Sequence, residues 1–163
     1  MPDSVTIRPA TPADGDLLVR LITALLTYES LPTPDASAAE RIKADLTEGK
    51  RFTAWIAEVD NEPAGYALVF EAYSTLSGLP RMYLEDIFVL PEFRSHKVGY
   101  ALMRQVVAEA ERRNCALVEW EALDWNRLAI DFYERLGAKH QAAWLNFSLD
   151  REAMSALLAD ERP

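Results

Sequence analysis

The stretch Phe88-Val89-Leu90-Pro91-Glu92-Phe93-Arg94-Ser95-His96-Lys97-Val98-Gly99-Tyr100-Ala101-Leu102 constrains the chain more than any other. An apolar strand runs into a short turn, and the turn opens directly into a helix. The first turn of that helix carries backbone N–H groups without intrahelical acceptors, at the positive end of the peptide dipoles. Arg94, Lys97 and His96 add side-chain charge there, in a chain that is otherwise acidic. Gly99 lets the backbone come close to a ligand. Such a turn suits a pyrophosphate. The same residues also suit an ordinary strand-to-helix turn with a solvated basic cluster.

The elements around this segment follow from spacing. Val5 to Arg8 alternates as a strand stopped by Pro9. Thr11-Pro12 starts a helix with Asp14 and Asp16 in its first turn, and Leu17, Leu18, Leu21, Ile22, Leu25 and Leu26 make one core face. A weaker helix spans 35–48. The runs 52–59 and 64–70 form an antiparallel hairpin turning at Asp60-Asn61-Glu62-Pro63. A loop over 74–80 leads to the most apolar strand, 81–90. Thereafter come a helix over 98–113, a strand over 116–122, a helix over 125–136 closed by Gly137, a strand over 142–149 and a terminal helix capped by Asp150. This order predicts an α/β domain with a mixed sheet, a single domain over residues 1–163.

Composition narrows the function. With 163 residues and half of them apolar, the chain can build its core without disulfides. The formal charge of −9 argues against nucleic acid or an anionic membrane as partner and is compatible with a cationic substrate, as well as with plain solubility. One cysteine, Cys115, and two histidines, His96 and His140, are too few for a Cys- or His-based metal site. Cys115 opens an apolar strand and reads as packing; the histidines read as surface residues. The N-terminus shows no signal-peptide pattern and no apolar run approaches a membrane span, so a cytoplasmic location is the expectation.

Arg94-Ser95-His96-Lys97-Val98-Gly99 resembles the Gln/Arg-x-x-Gly-x-Gly/Ala turn of the Gcn5-related N-acetyltransferases. It matches at the first and last positions and departs where Lys97 replaces the first glycine; Ser95 also stands where glycine is common. The resemblance covers nearly the whole chain. Ile7-Arg8-Pro9-Ala10-Thr11 resembles the family's opening strand, Tyr83-Leu84-Glu85-Asp86-Ile87-Phe88-Val89 its central strand, and Asp124-Trp125-Asn126 with 129–138 its later half. The Leu-Glu-Asp triplet, the Trp-Asn pair and the Phe-Tyr…Gly-Ala ending are similar to the branch of spermidine/spermine, thialysine and diamine N-acetyltransferases. Residues 80–86, preceded by Tyr73-Ser74-Thr75, resemble the thialysine type.

The resemblance implies acetyl-CoA as co-substrate, direct acetyl transfer to a small amine in a ternary complex, no metal, and a homodimer. It places the cofactor between parted parallel strands ending near Val89 and Ala122. Backbone of Ile87, Phe88 and Val89 then holds the pantetheine arm, and the turn through Arg94, Ser95, His96, Lys97, Val98, Gly99 and Tyr100 holds the pyrophosphate. Lys97 in a left-handed conformation costs about 1 kcal/mol; elsewhere its ammonium can pair with a phosphate.

The chemistry needs a proton acceptor for an ammonium, a polarised thioester carbonyl and a proton donor for the leaving thiolate. Glu85 is the candidate base, acting through water, with a surface carboxylate as the plainer reading. Asp86 alternates to the strand's other side. Tyr133 alone reads as a core aromatic beside Leu128, Phe132 and Leu136; the resemblance makes it the acid that protonates the thiolate. Asn126 matches the asparagine that bonds the pantetheine. Tyr28, Glu29, Glu85, Asp86 and Trp144 form the expected amine pocket, by charge and cation–π attraction. The loop Ser74-Thr75-Leu76-Ser77 lacks the acidic and tryptophan residues of spermine-acetylating relatives, which favours a short diamine or a lysine-like substrate. Acetylation of protein termini, lysines or a cationic drug stays open, as does a regulatory protein that binds coenzyme A without catalysis.

Overall fold

The structure is a computed structural model that describes residues 4–159. The chain divides into two compact units, residues up to Glu121 and residues from Ala122 onward, each described by itself.

The first unit holds a five-stranded mixed sheet in sequence order: β1 (Val5–Pro9), β2 (Thr53–Val59), β3 (Glu62–Ser74), β4 (Leu79–Val89) and β5 (Val118–Glu119). β1 to β4 pair antiparallel, and β5 lies parallel to β4. The β2–β3 hairpin closes on only Asp60 and Asn61, both with positive φ, 50° and 67°. That is the two-residue turn whose twist matches the strands, and Asp and Asn tolerate it.

α1 (Gly15–Tyr28) and α2 (Ala36–Glu48) cover one face. Leu18, Leu21, Ile22 and Leu25 of α1 and Leu46 of α2 pack on Ala54, Ile56, Tyr66, Leu68 and Phe88. Each aliphatic side chain so buried is worth about 1.5–3 kcal/mol. α3 (Val98–Arg112) covers the other face through Val98, Leu102, Met103 and Val106. The start of α1 is fixed electrostatically. The buried Asp14 carboxylate accepts a bidentate pair from Arg8 at 2.8 Å each, plus the Thr11 amide at 2.7 Å and hydroxyl at 2.8 Å. These bonds hold Asp14 well below the usual carboxylate range, with Arg8 the largest cause.

The second unit contains α4 (Arg127–Arg135) and α5 (Arg151–Ala159). Asn126 caps α4 by accepting the Ala129 amide at 3.2 Å, and Asp150 caps α5 by accepting the Ala153 amide at 2.8 Å. Gly137 ends α4 with φ 87°, and Ala138 donates its amide back to the Tyr133 carbonyl at 3.1 Å.

Two expected strands change. The strand over 116–122 shrinks to Val118–Glu119, because β4 pairs with it only at Met82 and Tyr83. The strand over 142–149 does not form. Its alternating residues find no hydrogen-bonding strand edge among the described residues, and alternation alone does not make a strand.

Candidate active site

β4 organises the candidate site. In its first half it bonds to both neighbours; Met82 donates its amide to Leu117 at 2.9 Å. From Leu84 to Val89 it has one sheet partner among the described residues, β3. The parallel pairing therefore ends at Tyr83 and Glu119, and the second half of β4 has no strand on that edge among the described residues. Leu90 donates its amide to Ala64 on the β3 side at 2.9 Å. By alternation, the backbone groups of Ile87 and Val89 face that edge. An extended chain with amide groups fits such an edge as an added strand.

The end of the parallel pairing adjoins a β-bulge. Tyr66 lies opposite Phe88, Ala67 opposite Ile87 and Leu68 opposite Asp86, but Val69 lies opposite Leu84. Glu85 is the extra residue. It reverses the alternation of β4. Asp86 and Phe88 share the α1 face with Leu68 and Tyr66, whereas Leu84 falls with Val69 on the opposite face. Glu85 is inserted between Leu84 and Asp86 without a β3 partner, so strict alternation does not set its side; its charge acts on both Asp86 and Tyr66. Gly65, opposite Val89, secures the tight packing at the end of β4. A Cβ there would stand 2.2 Å from the Phe88 carbonyl oxygen.

Beneath the bulge is an acidic cluster. Asp86 accepts the hydroxyl of the fully buried Tyr66 at 2.9 Å. Burial pushes the Asp86 carboxyl up to about 6, with the Glu85 and Glu29 charges adding to the rise and the Tyr66 hydrogen bond opposing it. Glu29, at the C-terminal cap of α1, is raised by burial. Tyr66 is raised well above its ordinary range by burial first, then by Asp86, Glu29 and Glu85. Tyr28 packs on Phe88 with ring centroids 6.1 Å apart. Tyr66 escaped the sequence reading because it looks like one more core aromatic in an apolar strand. Its position across from Leu-Glu-Asp was the available signal, since a buried tyrosine hydroxyl needs a partner.

Beyond β4 lies the turn. Pro91–Phe93 makes one 3-10 turn, and Ser95 and Lys97 both take positive φ, 77° and 61°. Lys97 thus occupies the left-handed conformation that glycine adopts without strain, just ahead of α3, with no side-chain cap. Ala101 donates the first α3 bond to Lys97 at 3.0 Å, so the amides of Val98, Gly99 and Tyr100 precede the helical ladder. The Arg94 side chain turns back: its Nε donates to the Val89 carbonyl at 3.2 Å and its guanidinium lies 4.8 Å from the Tyr28 ring centroid. His96 Nδ1 lies 3.1 Å from the Phe93 carbonyl oxygen. Among the described residues no group of His, Cys, Asp and Glu could hold a metal, and no helix is long and apolar enough to cross a membrane.

The first unit thus brings together Tyr28, Glu29, Glu85, Asp86, Phe88, Val89 and Arg94. Asn126, Tyr133 and Trp144 belong to the second unit. Tyr133 follows the cap Asn126 by two helical turns and packs on Phe132, centroids 5.5 Å apart. Trp144 is 80% exposed.

A mixed sheet with a bulge, a parallel pair that ends early and a helix mouth at the end of the longer strand is the arrangement of an N-acetyltransferase. The chain belongs to the Acetyltransferase (GNAT) family, whose model matches residues 19–138. It is 34% identical over 166 residues to a thialysine N-epsilon-acetyltransferase of Sus scrofa, a match covering 94% of this chain and 97% of that one. An L-ornithine N5-acetyltransferase of Arabidopsis thaliana is 34% identical over 94 residues, 58% of this chain and 41% of that one. Aminoglycoside N-acetyltransferase AAC(6')-Iy, solved in complex with CoA, shares the fold with a TM-score of 0.76 at 21% identity, covering 91% of this chain and 96% of that chain. The family and the branch read from the motifs are those the comparisons find.

Proposed function

We propose that the chain transfers an acetyl group from acetyl-CoA to a primary amine of a small cationic substrate, a lysine- or ornithine-like amino acid or a short diamine, directly in a ternary complex. The observation that carries this reading is the acidic cluster of Glu29, Glu85 and Asp86 at the bulge. An Asp86 carboxyl whose protonation is raised by burial and by the Glu85 and Glu29 charges is relieved by a cation, and an ammonium supplies one. The relatives that acetylate thialysine and ornithine support the same substrate class.

The residues present fit coenzyme A. The β4 edge at Ile87 and Val89 suits the pantetheine arm, and the amides of Val98, Gly99 and Tyr100 suit the pyrophosphate. Bound there, acetyl-CoA supplies an activated acyl group with a thiolate leaving group. Glu85, through water, takes a proton from the substrate ammonium, whose ordinary pKa is near ~10. With acetyl-CoA bound, the freed amine would attack the thioester carbon as the C–S bond breaks, and the nitrogen would shed its second proton to solvent as the amide forms. Tyr133 gives its phenolic proton to the sulfur and regains one from solvent. Asn126 orients the pantetheine, and Tyr28 and Trp144 present aromatic faces to the substrate's cationic groups. A homodimer in the cytoplasm, acting on free small molecules rather than nucleic acid or membrane, completes the reading.

A panel of thialysine, ornithine, lysine, 1,3-diaminopropane, spermidine, spermine and amine-bearing peptides, followed by thiol release from acetyl-CoA, tests this. Thialysine, ornithine and the short diamine should exceed spermine and the peptides in kcat/KM. No thiol release with any of them overturns the reading.

A further inference from the structure

The Tyr66 hydroxyl sits in the centre of the first unit's core, a costly place for a polar group without a partner. The buried core cluster that contains Tyr66 includes Leu18, Leu21, Ile22, Leu25, Leu46, Ala54 and Ile56 from α1, α2 and β2, none titratable, with Tyr28 of α1 packed against it. Its hydrogen bond goes to Asp86 Oδ2, across the β3–β4 pair. No further hydrogen bond to Asp86 occurs among the described residues, which leaves Oδ1 for a ligand. The charged groups facing the pair are Glu29 at the end of α1 and Glu85 on β4. The cation of this region, Arg94, lies over the rings of Tyr28 and Phe88.

We propose that Tyr66 is a positioning residue for amine recognition, its buried hydroxyl locking one oxygen of Asp86 so that the other presents a fixed negative charge to an ammonium of the substrate. This rests on the acetyl-transfer reading for the identity of the ligand. The physical argument is its own. Two neighbouring carboxylates and burial both drive Asp86 toward its neutral acid, which would face an ammonium as a poor acceptor. A donor that cannot leave, because it is the end of a packed ring, is the force that keeps the carboxylate ionised. It also fixes the carboxylate plane, since the bond from the Tyr66 hydroxyl to Oδ2 is directional. Tyr66 touches neither substrate nor cofactor; it acts through Asp86.

The test uses Tyr66→Phe in the full chain saturated with CoA. Calorimetry with thialysine should show binding weakened about threefold at pH 6.5, the fall in ionised Asp86 expected when its carboxyl titrates about one pH unit higher. The gap should narrow above pH 8, where Asp86 ionises even without its donor. Carboxyl carbon NMR should show Asp86 titrating about one pH unit higher than in the parent chain. In turnover, the loss should fall in the KM for thialysine, with kcat and the KM for acetyl-CoA held within about twofold. Equal weakening at every pH, an unmoved Asp86 titration, or a loss confined to kcat overturns the proposal.

Should Tyr66→Phe fail to fold, Asp86→Asn decides instead. It keeps an acceptor for the Tyr66 hydroxyl but removes the charge, and should weaken thialysine binding above about pH 6, where the parent Asp86 is ionised, and much less at pH 5. Thialysine binding equal to that of the parent chain above about pH 6 rejects the proposal. The two readings separate cleanly: absence of thiol release from the parent chain sinks acetyl transfer, whereas the NMR titration judges the Tyr66–Asp86 pair without any turnover.

Discussion

The two ends of β4 build the surfaces proposed for amine and for coenzyme A by different means. At the bulge, the surface consists of side chains: Glu29, Glu85 and Asp86, with Tyr66 behind them. Past Val89, it consists of backbone: the strand edge, two residues of positive φ and the first amides of α3. A backbone surface tolerates changes of residue type as long as the dihedral angles survive, which explains how Lys97 and Ser95 can stand where glycine is usual. A side-chain surface has no such freedom, because each charge and each buried donor is a specific residue.

The acidic end should break most severely. Glu85→Gln removes the proposed base while keeping the side chain's shape and is expected to lower kcat by about a hundredfold or more. Steady-state rates with thialysine, compared with calorimetric affinity for CoA, check both halves of the contrast. CoA affinity should be unchanged, since the turn lies beyond β4. An equal loss in both would merge the two ends into one.

The backbone end breaks through shape. Gly65→Ala drives a methyl against the Phe88 carbonyl, so β4 must move where it flanks Val89. A cost of about 1–3 kcal/mol is expected, with weaker CoA binding as the β4 edge shifts. Urea unfolding and CoA calorimetry on the same variant measure the two effects. Stability lost without any change in CoA affinity would detach the strand edge from cofactor binding.

Asp86→Asn separates stability from function at the acidic end. The folded chain holds the Asp86 proton up to about pH 6, against an ordinary value of 3.8. Between these values the folded state binds more protons than the unfolded state. Stability due to this group therefore falls as pH rises from about 4 to 6, and remains lower above. Asparagine carries no such charge. The variant should be more stable at pH 7.5 by about 1–3 kcal/mol and no more stable at pH 4. Thermal unfolding at the two pH values checks the sign. The opposite slope is expected from Asp14, whose paired carboxylate stabilises the fold at neutral pH and loses that contribution as acid protonates it.

Much of this contrast was legible in the sequence. The strand–turn–helix around Arg94 and Lys97 announced the backbone end, because helix mouths and glycine positions leave local signatures. Glu29, Glu85 and Asp86 were nominated through family resemblance, and the structure gathers them. Their geometry was not legible. A bulge is one residue inserted against a partner strand, and no period in β4 alone reveals the insertion at Glu85. Tyr66 was invisible for a related reason: its meaning lies in a carboxylate twenty residues on. The strand expected over 142–149 failed because alternation states which side chains share a face, whereas a strand also requires an edge to pair with.

The finest test of the contrast is Lys97→Gly. Lys97 holds φ 61°, ψ 16°, a conformation that costs an L-residue about 1–2 kcal/mol. Glycine removes that strain but adds about 0.4–1 kcal/mol of unfolded-state entropy, leaving a net gain of about 1 kcal/mol or less. For a chain of this size, that raises Tm by about 2–4 °C. A pyrophosphate held by the amides of Val98, Gly99 and Tyr100 loses little when the ammonium goes, so the Kd for CoA should change less than about threefold, the scale of an exposed charge pair. A tenfold loss at low salt that fades at high salt would assign the pyrophosphate to the lysine side chain. The turn would then join the acidic end as a side-chain surface, and the replacement of glycine by Lys97 would be a substitution of charge for backbone freedom.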